Sequence, residues 1–361
     1  MLLTQLKLTN FRSHKSSKFE FSPTTVIIGH NTAGKTNILE SVYILSGGKS
    51  FRAHHDKDVI REGFEFSNID AIISNQELNA NPQPRLNRGQ EQTNLKVIFS
   101  LQRGYLSKKF LVNNVARSQH NFTENFVSVL FTPHDIELIT DSPGIRRKYI
   151  DSILYQADKN YRTAIASYDR ALRHRNKMLY DMREGKKQYK TGDFEFFNNV
   201  LIEHGNYITA ARQKFVDFVN EADKDIFDFT FYYDKSEMSQ ARLAKYHFEE
   251  RAAGVTLVGP QRDDFKFFFG GTEKPVQEFG SRGEERLTIF QLKVLEVSYL
   301  LHATSHVPVL LLDDIFSELD EANIHKVFDL LPDQQTIITT THHEFVPKRI
   351  FNRAEVTIIE L

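Results

Sequence analysis

The sequence predicts an α/β fold assembled from both ends of the chain and interrupted by a mainly helical insert. Three observations predict it. Strands alternate with helices at both ends. From about Ile145 to about Asp225 the apolar period turns helical and stays so. A glycine-rich loop joins a buried strand to a helix early on, and a late apolar strand ends in two carboxylates.

The first element, "LLTQLKLTNF", alternates as a strand does, and "TVIIG" reads as a buried strand. "KTNILESVYILSGG" places Ile38, Val42 and Leu45 at helical spacing and stops at Gly47-Gly48. Strands are expected over 67–75, 94–102 and 108–112, with a polar, Pro- and Asn-rich loop between the first two. In the insert, Tyr149, Ile153, Tyr161, Ile165, Tyr168, Leu172 and Leu179 share one helical periodicity, and Phe197, Leu201, Ile208, Phe215 and Val219 a second. "DFTFYYD" returns to strand, and "VPVLLL" is a continuous apolar run suited to a sheet covered on both faces. The expected division is 1–132 with 255–361 as the α/β body and 133–254 as the insert. The helical segments are too short for a long coiled coil.

Composition narrows the chemistry. The 361 residues are 40% hydrophobic and 26% charged, as expected of a soluble globular chain. There is no cysteine, which excludes disulfides, thiolate nucleophiles and Cys-type zinc sites. No segment reads as a signal peptide or membrane span, so a cytoplasmic location without a membrane partner is expected. The formal net charge is −1, so a nucleic-acid partner would need a local patch.

"GHNTAGKT" (Gly29, His30, Asn31, Thr32, Ala33, Gly34, Lys35, Thr36) fits G-x-x-x-x-G-K-[ST] in a strand–loop–helix context. Backbone N–H groups at the helix N-terminus would cradle phosphates, Lys35 would reach the β- and γ-phosphates of ATP, and Thr36 would offer its hydroxyl to Mg²⁺. Asn37 follows directly and joins the nucleotide-binding set. At the end of "VPVLLLDD", Asp313 is expected in the Mg²⁺ shell, and Asp314 is the candidate to orient or deprotonate the attacking water. An ordinary Asp-rich turn is the bland alternative for this pair.

"SRGEE", 245 residues after Thr36, raises a second phosphate-binding possibility. Ser281, Arg282, Gly283 and Glu284 resemble the S-G-G-Q signature of ABC-type ATPases. A helical pattern follows them, through Leu287, Phe290, Val294, Val297 and Leu301. In that fold the signature caps the ATP held by a second subunit, so Ser281 and Gly283 would contact the partner's nucleotide. Ser281 with Glu284 three residues on also spells a capping box, and the two readings are compatible.

Four stretches together resemble the RecF family: "NFRSH" (Asn10 to His14), "GHNTAGKTNILESVYILSGGKSFR" (Gly29 to Arg52), "PHDIELITDSPGIRRKYID" (Pro133 to Asp151) and "LLLDDIFSELD" (Leu310 to Asp320). The resemblance implies an ABC-type ATPase head with a short helical arm, ATP-driven homodimers and slow hydrolysis. It implies binding of double-stranded DNA near single-strand gaps, and cooperation with RecR and RecO in placing RecA. It adds Arg12 to the nucleotide site and Lys35, Asp314 and Ser281 to the catalytic set. An SMC-like chromosome protein or a transporter-type ATPase is the alternative class. Four positions depart from the family pattern. Thr32 and Asp141 replace usual glycines, Asn323 replaces a basic residue, and His134 replaces an acidic one. The Q-loop position is therefore open between His134 and Asp135, and the switch residue in "TTTHH" between Thr341 and His342.

For DNA, residues 145–190 hold 13 Lys or Arg against 5 Asp or Glu. Arg170, Arg173, Arg175 and Lys177 fall within about two helical turns and are the candidate phosphate contacts, with Lys49 and Arg52 as a second patch. A solvated helical face would show the same charge run.

Overall fold

The structure, a computed structural model, describes residues 1–74, 92–317, 334–342, 344, 346, 350 and 356–361. Asn323, His343, the end of the Leu310–Asp320 stretch and most of the expected polar loop lie outside the described residues. Strands in chain order are β1 (Leu2–Phe11), β2 (His14–Glu20), β3 (Thr24–Ile28), β4 (Phe66–Ser74), β5 (Gln92–Gln102), β6 (Tyr105–Val112) and β7 (Val115–Arg117). They continue as β8 (Ser128–Phe131), β9 (Phe229–Asp234), β10 (Asp264–Phe269), β11 (Val309–Asp313), β12 (Thr336–Thr340) and β13 (Val356–Glu360). The chain forms two units, Met1–Asp135 with Lys293–Leu361 (the head) and Ile136–Leu292 (the arm).

The second boundary thus falls at residue 292, whereas the sequence expectation draws it at 254. Residues 255–292 belong with the arm because β10 pairs antiparallel with β9 over its whole length, from Asp264 opposite Asp234 to Phe269 opposite Phe229.

The head holds two sheets. One is entirely parallel in the order β13-β3-β12-β11-β8. Its central strands β11 ("VLLLD") and β12 ("TIITT") are buried at every position, which is why they read as runs and not as alternations. The other sheet is antiparallel, β2-β1-β4-β5-β6-β7, and β4 alternates between buried and half-buried residues. The helix Lys35–Gly47 shares one core with both. Ile38, Leu39, Val42 and Leu45 cluster with Leu6, Leu8, Ile69 and Val97 of the antiparallel sheet and with Leu311 and Ile337 of the parallel one. Each such side chain contributes about 1.5–3 kcal/mol through burial. The helix ends at Gly48, whose φ of 69° lets its N–H reach the Ile44 carbonyl at 2.8 Å. A Cβ there would lie 2.5 Å from the Gln119 amide.

The arm is built on two long helices, Lys159–Arg183 and Glu195–Glu221. Asp158 starts the first by accepting from the Asn160 N–H at 2.7 Å, separating it from the helix Pro143–Ala157. Of the first expected set Ile153, Tyr161, Tyr168 and Leu179 are buried and Tyr149, Ile165 and Leu172 half-buried; of the second, Leu201, Ile208, Phe215 and Val219 are buried and Phe197 half-buried, so both periodicities face the core. Aromatic residues of β9 and β10 complete the core, with Tyr233 stacked on Phe265 at 4.7 Å and Phe231 on Phe267 at 4.8 Å. Asp141 caps a short turn at an ordinary φ of −106°, so this departure from glycine costs no strain. The helix Arg282–Thr304 begins in the arm and ends in the head. Among the described residues no helix is long and apolar enough to cross a membrane.

Candidate functional site: a phosphate loop at the carboxyl end of the parallel sheet

The loop after β3 lies at the carboxyl end of the parallel sheet, where α/β folds bind ligands. Its start is pinned by the Gly29 N–H, which donates to the Thr340 carbonyl at 3.3 Å. Ala33 closes a turn onto the His30 carbonyl at 3.1 Å, with Asn31 and Thr32 exposed at its tip. Thr32 sits at φ 77°, a conformation that a β-branched residue reaches only under strain. Gly34 sits at φ 103° as the residue that opens the helix, and it provides no side-chain cap. The first turn carries no acidic residue either, so the helix N-terminus remains suited to an anion.

Lys35 is buried and donates to the carbonyls of Gly29 at 2.6 Å and His30 at 3.1 Å. Burial pushes its ammonium pKa below the usual lysine value, opposed by Asp314 first and Asp313 second.

Asp313 ends β11 and is buried. One carboxylate oxygen accepts from the Thr36 hydroxyl at 3.0 Å and from the Thr339 hydroxyl at 2.6 Å. The parallel register dictates this meeting, because Asp313 pairs with Thr339, and Thr339 with Ile27 just before the loop. Asp314 follows at φ 50°, and its N–H reaches the carbonyl and hydroxyl oxygens of Thr339, each at 3.2 Å. Thr339 thus braces both carboxylate residues. The sequence showed it only as part of "TTTHH", and its role depends on which strand neighbours β11. Beyond it, the Thr340 hydroxyl donates to the His342 carbonyl at 3.1 Å, so Thr341 and His342 lie in a turn directly after β12.

The hairpin tip joining β1 to β2 closes over the loop. His14 is buried, with Nε2 3.3 Å from the Gly34 carbonyl and Nδ1 3.1 Å from the Ser17 hydroxyl. A Cβ on Gly34 would lie 2.7 Å from the Ser13 hydroxyl and 2.8 Å from His14 Nε2, so only glycine fits. Asn37 donates to the Ser13 hydroxyl at 2.7 Å.

Arg12, expected as a nucleotide contact, sits at the tip of the same hairpin. It grips Glu40, wholly buried in the phosphate-loop helix, through two bonds of 2.9 and 2.6 Å, and it donates to the Asp58 carbonyl at 2.7 Å. Arg52 approaches the same carboxylate at 2.9 Å and bonds Asn37, and the Ser50 hydroxyl adds a bond of 2.5 Å. The Arg52 guanidinium is thus engaged within the head, although half exposed, while Lys49 is exposed. Glu40 escapes sequence reading because a lone glutamate inside a helix has no motif.

Asp135 accepts from the Thr132 N–H at 2.7 Å and faces Lys293 at 3.7 Å; burial raises its carboxyl pKa and Lys293 opposes that. His134 is exposed.

In the arm, Ser281 forms the capping box. Its hydroxyl donates to Glu284 at 2.8 Å, its N–H reaches the same oxygen at 2.8 Å, and the Glu284 N–H returns to the hydroxyl at 3.3 Å. These bonds hold the Glu284 carboxyl below its usual pKa. Ser281 and Gly283 are both exposed.

The basic run divides. Arg170, Arg173 and Lys177 are exposed. Arg175 is not a surface cation: it is buried and spends its guanidinium on Glu250 at 2.6 Å, Thr256 at 2.7 Å and Asn198 at 2.8 Å. Arg146 and Arg162, counted in the same run, are buried too.

Residues 2–358 match the family model described as RecF/RecN/SMC N terminal domain. The chain is 31% identical over 377 residues to the DNA replication and repair protein RecF of Latilactobacillus sakei subsp. sakei (strain 23K), spanning 97% of this chain and 95% of that one. The chain belongs to the RecF family. A second RecF, from Thermoanaerobacter sp. (strain X514), is 31% identical over 362 residues, with 94% of each chain covered. The fold matches the structure of the recombination mediator protein RecF-ATP in the RecFOR pathway with a TM-score of 0.83, at 27% identity over 96% of this chain and 93% of that one. The ABC-type ATPase head expected of a RecF-family chain is therefore the observed fold, and the helical arm is its insert.

Proposed function

We propose that this chain is an ATP-dependent DNA-binding protein of recombinational repair, whose ATP-closed homodimer holds duplex DNA near single-strand gaps. In this reading it assists RecR and RecO in loading RecA, and slow, DNA-stimulated hydrolysis reopens the dimer. The observation that carries the reading is the convergence of Thr36 and Thr339 on Asp313, beside an uncapped helix N-terminus and Lys35.

The donor set fits Mg²⁺, which takes hard oxygen ligands and commonly uses one or two protein groups with water and phosphate. Thr36 and Asp313 would hold it, and when bound it would neutralise charge developing on the transferred phosphoryl group. The chain's own residues do the rest. Backbone N–H groups of the loop and helix start would seat the β-phosphate. Lys35 would exchange its two loop carbonyls for phosphate oxygens. Asp314, held by Thr339, would align the attacking water. Ser281 and the exposed start of its helix would meet the γ-phosphate on a second protomer. The capping bonds to Glu284 hold that helix start in shape without consuming its exposure.

Light scattering with Mg²⁺ and either ADP or a non-hydrolysable ATP analogue tests the reading. The mass should double only with the analogue, and Ser281→Arg should bind nucleotide yet stay monomeric. Asp314→Asn should bind ATP, hydrolyse it more slowly and accumulate dimers. A mass indifferent to nucleotide in the wild type would refute the dimer mechanism.

A further inference from the structure

Within the arm, five exposed residues of the helix Lys159–Arg183 fall on one face: Arg170, Arg173, His174, Lys177 and Tyr180. The side chains of Arg170 and Arg173 make no hydrogen bond or ion pair with any described residue. Farther along, Tyr180 gathers cations around its ring, with Lys186 at 4.7 Å, Arg183 at 5.1 Å and Lys177 at 5.4 Å. Lys177 is also paired with Asp181 at 2.6 Å and Arg183 with Glu184 at 2.9 Å, so the uncompensated charge of this face rests chiefly on Arg170 and Arg173.

Beside this cationic face is an aromatic array. His174 stacks on Phe197 at 5.6 Å with ring planes 18° apart, and Phe197 meets Phe196 edge-on at 5.4 Å. Phe196, in the first turn of the neighbouring long helix, is 71% exposed. A row of cations needs only phosphates, and duplex DNA would satisfy it. An exposed phenyl ring that meets Phe197, itself stacked on His174, asks for something else. Paired bases hide their faces in the stack, whereas unpaired bases offer them.

We infer that this face of the arm is a binding site for unpaired DNA strand, with Arg170 and Arg173 along the phosphates and Phe196 as a stacking platform for a base. The inference rests on the DNA-binding reading above and adds that the arm recognises the single-stranded side of a gap. The strand would be read without sequence preference, because every base has a stacking face and the cations contact only phosphate.

Fluorescence anisotropy with a labelled oligo-dT strand and, separately, a labelled duplex tests it on the full chain. Phe196→Ala should weaken oligo-dT binding about tenfold while changing duplex affinity by less than about twofold. Phe196→Trp should restore oligo-dT binding. Arg170→Ala with Arg173→Ala should weaken oligo-dT binding and flatten its salt dependence by about 0.7 in log–log slope per lost contact. Phe196 is a surface residue, so its truncation leaves the fold intact, which circular dichroism checks. Wild-type affinity for oligo-dT in Phe196→Ala, or an equal loss for duplex, overturns the inference. So does a wild-type chain that dimerises with ATP and binds duplex but not oligo-dT, and that result leaves the proposed function standing. Failure to bind either nucleic acid overturns both.

Discussion

The head and the arm each carry a different internal cost. Every described non-glycine residue with positive φ lies in the head: Asn10, Arg12, Thr32, Arg103, Asn113, Asn114, Ser305 and Asp314. Four of these, Asn10, Arg12, Thr32 and Asp314, belong to the hairpin, phosphate loop and carboxylate turn that make the site. In the arm, only glycines take such conformations among the described residues. The arm's cost lies in buried charge, of which the head also has a share at Glu40. Arg212, 2% exposed, is bound by Asp151 at 2.7 Å and Asp263 at 2.7 Å, and it donates to the Pro260 carbonyl at 2.8 Å. Burial pushes the Tyr161 and Tyr233 phenols up, so they stay protonated and donate to those two carboxylates. Strain at a site can serve function, because it aims groups at a ligand. A saturated buried network has no group left to offer, and it serves to lock one packing.

The largest test of this contrast is Arg212→Met. It leaves two carboxylates without their cation and should cost about 3–5 kcal/mol, read as a drop in denaturant midpoint. Adding Asp263→Asn should recover part of the loss, since the residues share one network. ATP-analogue binding by the folded fraction should be unchanged. If nucleotide affinity collapses while the fold survives, the arm network is not merely structural.

Glu40→Gln is the counterpart in the head. There the carboxylate is the buried partner, and Arg12 and Arg52 are 21% and 38% exposed. Water can take over part of their solvation, so the cost should be about 2–3 kcal/mol. Unlike Arg212→Met, it should also weaken nucleotide binding, because Glu40 lies on the phosphate-loop helix and Arg52 leads from it to Asn37. Unchanged affinity by titration calorimetry would reduce the clamp to a structural role.

The same contrast explains what the sequence could disclose. The phosphate loop was legible because all its parts lie within Gly29 to Thr36, and local geometry demands glycine at Gly34. Asp313 was legible because a buried strand ending in a carboxylate is also a local pattern. Thr339, Ser13, His14 and Glu40 were not, since each acquires its role from a strand, hairpin or arginine distant in sequence. The arm's basic run misled for a related reason. Charge counts register every arginine alike, yet Arg146, Arg162 and Arg175 are internal and only part of the run faces solvent. The Asp313–Thr339 contact requires the strand order β3-β12-β11, which no local pattern states.

Thr32→Gly probes strain at the loop itself. A left-handed conformation costs a non-glycine residue about 1–2 kcal/mol, and glycine returns about 0.4–1 kcal/mol of that as unfolded-state entropy. The head should therefore gain about 0.5–1 kcal/mol, seen as a small rise in melting temperature. A loss of stability would mean that the Thr32 side chain stabilises the loop by more than its backbone costs.

The smallest effect concerns His14, where the head has a buried titratable group of its own beside the loop. Burial chiefly lowers its pKa from 6.5; the Gly34 carbonyl opposes this and the Arg61 charge adds to it. The neutral ring with its proton on Nε2 satisfies both contacts, donating to Gly34 and accepting from Ser17 at Nδ1. In the unfolded chain His14 takes up a proton near pH 6.5, whereas the folded chain resists until the pH falls further. Its contribution is thus fully present above 6.5 and lost as the pH falls towards the depressed folded value. Between pH 7 and 5.5 the loss should stay under about 1 kcal/mol. Melting curves of wild type and His14→Gln across that range isolate it, because glutamine does not titrate. The wild type should lose more stability on acidification than the variant. Parallel curves would show that the ring is protonated as easily in the head as in solution, and that the hairpin does not grip the loop through it.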